Sequence, residues 1–288
     1  MHSSQWMTAA LVSACVALPA LGIVRRHDLT DADYLGYARQ SQFAPVGRVY
    51  GNYSLGGREW RGSGTLIGDR FILTAAHVVD SRAFAGWSYD FGDGVTFYNA
   101  ANVFIHPNWD GVTYGVEGAA DLAIIELDRP VTGVQGARLA STPVPFGMEV
   151  SLAGYGGTGD GIRGWDGEND RLLRAGTNRI EPLSASYARD ILTFDFTSPS
   201  SPEVTPLEAF GMFGDSGGPV MGIVGGRWEV LGVHSFIETL GIGIGVYGDR
   251  MGSTAVAPYR EWMDTIIPAP GGSFILAVGT LVLSRRRR

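Results

Sequence analysis

The sequence predicts an all-β protein, and two features of its composition carry that prediction. Its 288 residues include 42 glycines and 14 prolines, which place turn-forming residues at short intervals along the chain. Between them lie short apolar runs of the length that is typical of strands. Hydrophobic residues make up 45% of the chain, which is enough for one large domain or for two half-size barrels that share a cleft.

Short apolar runs from residue 43 onward define the predicted strands. The polar and charged segment 23–42 precedes them, and we expect it to wrap the outside of the domain. A segment rich in Thr, Gly, Pro and Ser at 131–145 divides the strands into two groups. Residues 258–267 have apolar positions at helical spacing behind Pro258, which predicts a closing helix. The strands are predicted at 46–50, 60–67, 70–74, 95–105, 121–127, 149–156, 171–180 and 191–196.

The first 22 residues have the pattern of a secretory signal peptide. Residues 7–21 are apolar but too short to span a bilayer comfortably, and residues 20–22 fit the small-x-small cleavage rule. Cleavage there would make Ile23 the first residue of an exported protein. The only cysteine, Cys15, lies inside this segment, so lipidation is an alternative, and we expect no disulfide in the mature chain.

Three motifs place the groups of nucleophilic catalysis along this framework. A Thr-Ala-Ala-His run at the end of a strand delivers His77 to a turn of small residues, and Asp121 opens another strand. The run Gly-Asp-Ser-Gly-Gly-Pro at 214–219 sets the hydroxyl of Ser216 among glycines. Because a serine is a poor nucleophile without a base and without donors for the oxyanion, the three motifs supply complementary parts of one mechanism.

These motifs closely resemble those of the chymotrypsin-like serine peptidases. Their order of His, Asp and Ser matches that family and differs from the subtilisin and α/β-hydrolase orders. Intervals of 44 and 95 residues separate His77, Asp121 and Ser216. The resemblance implies two six-stranded antiparallel β-barrels, at about 43–135 and 146–257, closed by the helix at 258–267.

The resemblance also gives each residue of the motifs a role in peptide-bond hydrolysis. Ser216 is the expected nucleophile, His77 the general base, and Asp121 the carboxylate that orients the base. The backbone N–H groups of Gly214 and Ser216 are the expected oxyanion hole. A polypeptide substrate and a monomer are expected, and no metal or organic cofactor is implied. A surface-displayed binding protein on an inactive peptidase scaffold is the alternative.

Specificity is expected to depend on residues beside the nucleophile. Phe210 stands where trypsin-type enzymes have an aspartate for basic side chains. Ser235, Phe236 and Ile237 match the substrate-binding strand of the family, and Gly245 matches the strand on the other wall. An aromatic floor and a branched wall predict a small or medium apolar residue at P1, the residue before the cleaved bond, as in elastase-like enzymes.

One further feature suggests that export activates the enzyme, and a second raises the question of a metal site. In the resembled family a free Ile-Val amino terminus inserts beside the aspartate before the nucleophile, here Asp215, so we expect export to activate the enzyme by freeing Ile23. The alternatives are a loose N-terminus or a second cut downstream.

An acidic, glycine-rich loop at 157–170 is interpreted as a solvated loop, with a calcium site as the alternative.

The distribution of charge indicates which partners and which location to expect. The formal net charge is −7, and no basic stripe crosses the body of the chain, so nucleic acid is not an expected partner. The segment 268–288 combines a proline hinge, an apolar stretch and four arginines, and it resembles the PEP-CTERM type of bacterial sorting signal, with Ala269 where the glutamate would be. We expect an exported protein at the cell surface or outside the cell, anchored transiently or permanently by this tail and processed by a sorting peptidase.

Overall fold

The computed structural model describes residues 23–111, 119–167, 169–182 and 190–268. A short strand, β1 (Ile23–Arg25), and a helix, α1 (Asp31–Ala38), precede the first barrel. The expectation that this segment lies wholly on the outside is wrong, because Ile23, Val24 and Tyr34 are buried. Their side chains join the core, whereas His27, Asp28 and Asp33 between them are exposed.

Six antiparallel strands form the first barrel, and they begin at Val46. They are β2 (Val46–Asn52), β3 (Arg58–Leu66), β4 (Phe71–Thr74), β5 (Gly86–Asp90), β6 (Tyr98–Ile105) and β7 (Ala123–Leu127), with a one-turn helix α2 (Ala76–Val79) after β4. The barrel closes in the order β2-β3-β4-β7-β6-β5. Closure removes the free strand edges, so every strand has two hydrogen-bonded neighbours.

In the described ranges, ten strands follow the first barrel along the chain. They are β8 (Arg138–Leu139), β9 (Glu149–Gly154), β10 (Thr158–Asp160), β11 (Gly164–Trp165), β12 (Arg174–Arg179), β13 (Ile191–Asp195), β14 (Ala209–Phe210), β15 (Pro219–Val224), β16 (Arg227–Glu238) and β17 (Arg250–Ala255).

The second large sheet runs in the order β12-β9-β15-β16-β17-β13, with β8 added beside β16. The sheet curls until its two end strands meet. There the Glu181 N–H donates to the Thr193 carbonyl over 2.9 Å, and the Asn178 side-chain amide donates to the Asp195 carbonyl over 3.1 Å. The predicted fold class is confirmed, with one closed barrel and a second, curled sheet whose end strands are joined by these single bonds.

A small third sheet connects β1, the first described strand, to the second half of the molecule, in the order β11-β10-β1-β14. Ile23 lies opposite Thr158 in a parallel pair, and Val24 lies opposite Phe210 in an antiparallel pair. Strand β1 is therefore paired with β14, the strand that directly precedes the segment leading to Ser216.

The closing helix is α3 (Arg260–Ile266), which follows a 3₁₀ turn at Ala257–Tyr259. Its residue Met263 is buried, and Trp262 makes an edge contact with His106 at a ring distance of 4.8 Å. No helix in the described ranges is long and apolar enough to cross a bilayer. The predicted signal peptide at 1–22 and residues 269–288 of the predicted tail lie outside those ranges.

Candidate active site

His77 and Asp121 meet at the edge of the first barrel. The buried strand β4 ends at Thr74, and the turn of α2 places His77 with its side chain 22% exposed. The His77 Nδ1 lies 2.7 Å from Asp121 Oδ2, and the His77 backbone N–H donates to Asp121 Oδ1 over 2.9 Å. Because a carboxylate only accepts hydrogen bonds, Nδ1 must carry the proton, and Nε2 is left as the acceptor of the neutral ring.

Asp121 is 1% exposed, and hydrogen bonds replace the water it has lost. A third donor, besides the two from His77, comes from the other half of the molecule, where Ser235 Oγ lies 2.5 Å from Asp121 Oδ2. The pairing of β16 with β17 shifts register between His234 and Phe236. Such a bulge inserts an unpaired residue into the strand, and here Ser235 is that residue.

The turn that carries Ser216 depends on glycines with positive φ. Gly214 has φ +93° and Gly217 has φ +82°, in the region that side chains disfavour. A Cβ on Gly214 would lie 1.8 Å from the Trp60 indole, which packs against this turn. The motif therefore needs glycine at 214 for two independent reasons, its backbone conformation and the space it leaves for Trp60.

Ser63, which no sequence motif singles out, anchors this turn through the carbonyls of Gly214 and Ser216, on both sides of the peptide group that carries the Ser216 N–H. Its hydroxyl donates to the Gly214 carbonyl over 2.9 Å, and its N–H donates to the Ser216 carbonyl over 2.9 Å. The N–H groups of Gly214 and Ser216 donate to no protein group within the described part of the chain. A serine in a glycine-rich strand carries no pattern that would have identified it in advance.

One cavity of about 370 Å³ brings the predicted base and the predicted nucleophile together. His77 enters it from the first barrel and Ser216 from the second half, so the cavity lies between the two. Its other lining residues are Gly211, Met212, Phe213, Asp215, His234, Ser235, Phe236, Ile237 and Met251.

Three of the five residues predicted for the substrate pocket, Ser235, Phe236 and Ile237, line this cavity. The other two lie elsewhere. Phe210 is fully buried and stacks on Phe196 with the ring centroids 5.5 Å apart, because its strand β14 pairs with β1 and turns the side chain into the core. Gly245 has φ +79°, its N–H donates to the Asp249 carboxylate within a loop, and it does not line the cavity.

Asp215 faces inward, and its carboxylate is held by the backbone. Its two oxygens accept the N–H groups of Gly156 and Met212, each over 2.7 Å. The side chain is 1% exposed, and burial raises the pKa of this carboxyl to about 7. Asp215 thus lacks the hydration that a charged carboxylate needs.

The acidic loop predicted at 157–170 has its described carboxylates engaged by protein groups. Asp160 pairs with Arg163, Asp166 accepts the Thr158 hydroxyl, and Asp170 pairs with Arg174. Glu168 lies outside the described residues. Across the described ranges, no cluster of three or more His, Cys, Asp or Glu side chains is placed to hold a metal ion.

Known proteins are similar to this chain in sequence or in fold. Chymotrypsin-like elastase family member 1 of Rattus norvegicus is 27% identical over 214 residues, which are 71% of this chain and 77% of the rat protein. The Homo sapiens protein of the same name is 25% identical over 249 residues, 83% of this chain and 93% of its own length. Neuropsin, a serine protease expressed in mouse brain, matches the fold with a TM-score of 0.59 at 19% identity, covering 80% of this chain and 97% of neuropsin.

The model of the trypsin family matches residues 47–263, which include the segments of His77, Asp121 and Ser216. This match covers well over half of the sequence and spans both halves of the fold. The chain therefore belongs to the trypsin family and is a serine-type endopeptidase.

Proposed function

We propose that the chain hydrolyses peptide bonds through an acyl-enzyme, with Ser216 as nucleophile, His77 as general base and Asp121 as the group that orients the base. One observation carries the proposal. His77 and Ser216 line the same cavity, while the other side of the imidazole is bound to a buried carboxylate. That arrangement leaves His77 Nε2 as the proton acceptor on the cavity side.

In the acylation step, the His77 imidazole first accepts a proton and then donates it. Ser216 Oγ attacks the carbonyl carbon as its proton moves to His77 Nε2, and the new imidazolium is stabilised by Asp121. The tetrahedral intermediate collapses, the C–N bond breaks, and His77 donates the proton to the leaving amine. A water molecule then repeats the sequence on the ester, which releases the acid and restores the hydroxyl.

We assign the N–H groups of Gly214 and Ser216 as the donors that bind the oxyanion of each tetrahedral intermediate. Support comes from the bonds of Ser63 to the carbonyls of both residues, which fix the orientation of the turn. Preorganised donors of this kind each contribute roughly 3 kcal/mol to transition-state stabilisation.

The cavity walls support the expectation that the P1 side chain is largely apolar. Met212, Phe213, Phe236, Ile237 and Met251 surround the space beside the nucleophile, and no lysine, arginine or acidic side chain other than Asp215 lines it among the described residues. Asp215 is 1% exposed, and we assign its carboxylate to the amino group of Ile23 in the mature chain. Arg or Lys at P1 would therefore lack a free counter-charge.

We also propose that the mature chain begins at Ile23 and that its amino group pairs with Asp215. Ile23 has φ +56°, a conformation that is strained for a β-branched residue. Because φ involves the bond to residue 22, cleavage of that bond releases the strain. A cation beside Asp215 would also stabilise its ionised form, which burial now disfavours.

Export, residence at the cell surface or outside the cell, and anchoring by a tail that a sorting peptidase processes remain proposals from the sequence patterns at 1–22 and 268–288. A monomer remains the expected state. N-terminal sequencing of the protein recovered from the medium and from the membrane fraction tests export and anchoring together. An intact N-terminus on an intracellular protein would contradict them.

Hydrolysis of a mixed peptide library tests the catalytic assignment. We expect Ser216→Ala to reduce turnover by about a million-fold, whereas Ser200→Ala, which changes an exposed serine, should retain full turnover. The alternative, a binding protein on an inactive scaffold, predicts that the wild type and both variants are equally inert.

A further inference from the structure

An arginine near the nucleophile turn is held in an unusual backbone conformation. Arg171 has φ +59°, and in the described ranges Ile23 is the one other non-glycine residue with a positive φ. Such a conformation is unfavourable and persists only where the surrounding structure holds it. The catalytic mechanism does not use Arg171, so its strained backbone calls for another explanation.

The backbone of Arg171 is anchored on both sides. Its N–H donates to Asn169 Oδ1 over 2.7 Å, and its carbonyl accepts a hydrogen bond from Arg48 Nη1 over 3.4 Å. Arg48 is itself buried and pairs with Asp90 over 2.8 Å. The Arg171 side chain therefore extends from a fixed point, while the residue remains exposed to solvent.

The Arg171 guanidinium lies over the indole of Trp60, with its central carbon 5.9 Å from the ring centroid. This distance is within the range of a cation–π contact. The same indole packs against the nucleophile turn, where a Cβ on Gly214 would lie 1.8 Å from it. Only the Trp60 ring thus separates the guanidinium from a residue that we assign to the oxyanion hole.

The charge of Arg171 has no counter-charge from the protein. Among the described residues, no carboxylate lies within ion-pair distance of its guanidinium, because the neighbouring charges are engaged elsewhere. Arg61, next to Trp60 in sequence, pairs with Glu59 over 2.9 Å, and Asp170 pairs with Arg174 over 2.8 Å. A carboxylate of the substrate can therefore bind Arg171 without displacing a partner.

Trp60 and Arg171 lie on the side of the site that faces the leaving group. Apart from His77, every residue that lines the catalytic cavity comes from the second half of the fold, so the P1 side chain is bound there. The leaving amine receives its proton from His77, which belongs to the first barrel, as does strand β3 with Trp60. Strand β3 passes directly beside the nucleophile, since a Cβ on Gly62 would lie 2.7 Å from the Ser216 carbonyl oxygen.

We infer that Arg171 is a specificity-determining residue that binds an acidic side chain at P2′, the second residue after the cleaved bond. An extended chain advances about 3.3 Å per residue, so P2′ lies about 7 Å beyond the scissile carbonyl, at the distance where a ring-sized spacer places the guanidinium. The planar guanidinium can bind both oxygens of a carboxylate. This inference rests on the proposed function and adds a leaving-group preference to its P1 preference.

Fluorogenic peptides that differ only at P2′, with Glu, Gln or Lys, test the inference. Their P1 position is an equimolar mixture of Ala, Val, Leu and Met. Gln is the near-isosteric control for Glu without the charge. At pH 7.5 and low salt, we expect kcat/KM for Glu to exceed that for Gln by about fivefold, because the ion pair is exposed. In about 0.5 M NaCl the ratio should fall toward one, because salt screens such a pair.

Variants of Arg171 separate its charge from its packing. In Arg171→Met, which keeps an apolar stem over Trp60, the Glu-to-Gln ratio should fall to about one. In Arg171→Glu, the Lys peptide should become a better substrate than the Glu peptide. Arg227→Met, which removes an exposed arginine at the start of β16, should leave the Glu-to-Gln ratio unchanged.

Equal cleavage of the Glu and Gln peptides by the wild type, or a Glu-to-Gln ratio that Arg171→Met does not change, overturns the inference and leaves the proposed function standing. Absence of cleavage of every peptide by the wild type overturns both. Should Arg171→Met fail to fold, Arg171→Glu and the salt series on the wild type provide independent measurements. An unchanged order of the Glu and Lys peptides in Arg171→Glu, or a Glu-to-Gln ratio that salt does not lower, would again overturn the inference.

Discussion

In the precursor, the chain that retains residues before Ile23, we predict that ionisation of Asp215 lowers the free energy of unfolding as the pH rises. Burial raises the pKa of this carboxyl to about 7 in the folded protein, whereas the pKa in the unfolded chain is about 3.9. Between these values the folded chain keeps a proton that the unfolded chain releases. The stability that Asp215 contributes is therefore complete below about pH 4 and lost as the pH rises to about 7.

The size of the effect follows from the pKa difference. A pKa that is higher by about 3 in the folded chain than in the unfolded chain corresponds to a loss of about 4 kcal/mol in the free energy of unfolding. Burial also raises the pKa of Glu208, so the total pH dependence is not specific to Asp215. The difference between the wild type and Asp215→Asn isolates the contribution, because asparagine keeps the shape and has no proton to lose.

Urea unfolding of both precursors at pH 4 and pH 8, followed by tryptophan fluorescence, measures this difference. Between pH 4 and pH 8, we expect the free energy of unfolding of the wild-type precursor to fall by about 4 kcal/mol more than that of Asp215→Asn. In the chain that begins at Ile23, the new amino group supplies the missing cation, and Asp215→Asn should instead destabilise the protein at pH 8. Parallel pH dependences of the two precursors would refute the reasoning.

Three further predictions concern the supports of the site. Ser235→Ala removes one donor to Asp121 and should reduce kcat/KM about tenfold; an unchanged value would show that the carboxylate does not need this bond. Gly214→Ala forces a Cβ against Trp60, so reaction with a fluorophosphonate should fall at least about a hundredfold, and wild-type reactivity would contradict the preformed turn. Arg174→Met leaves Asp31 and Asp170 without their buried partner and should destabilise the fold by about 3–5 kcal/mol in urea unfolding. The control Arg179→Met breaks an exposed pair with Glu149 at 3.9 Å and should cost under about 1 kcal/mol, so equal effects would contradict the prediction.

The strands that the sequence predicts are those whose pattern is local. The runs at 70–74 and 121–127 contain β4 and β7, because successive apolar residues in short segments between turns leave few alternatives to a buried strand. Strand β5 is not predicted, although Trp87 and Tyr89 are buried in it. Its five residues begin with glycine and include two polar positions, so the apolar signal is too weak to detect.

The site is predictable where a motif is contiguous and not where it depends on pairing between distant strands. The bulge at Ser235 and the two bonds of Ser63 arise from strand register, which no local pattern encodes. Phe210 is assigned to the pocket by position alone, but the pairing of β14 with the N-terminal strand turns it into the core. His234 directly precedes the strand motif at 235–237, yet that its Nε2 lacks a hydrogen-bond partner among the described residues becomes visible only in the structure, where Ser253 lies opposite it.

Mapping the site of fluorophosphonate attachment by mass spectrometry tests the central claim most directly. The claim is that His77 activates the hydroxyl of Ser216 in the cavity that the two residues share. We predict a single adduct on Ser216 in the wild type and no measurable adduct in His77→Ala. An adduct on another serine, or reaction of His77→Ala at the wild-type rate, would contradict it.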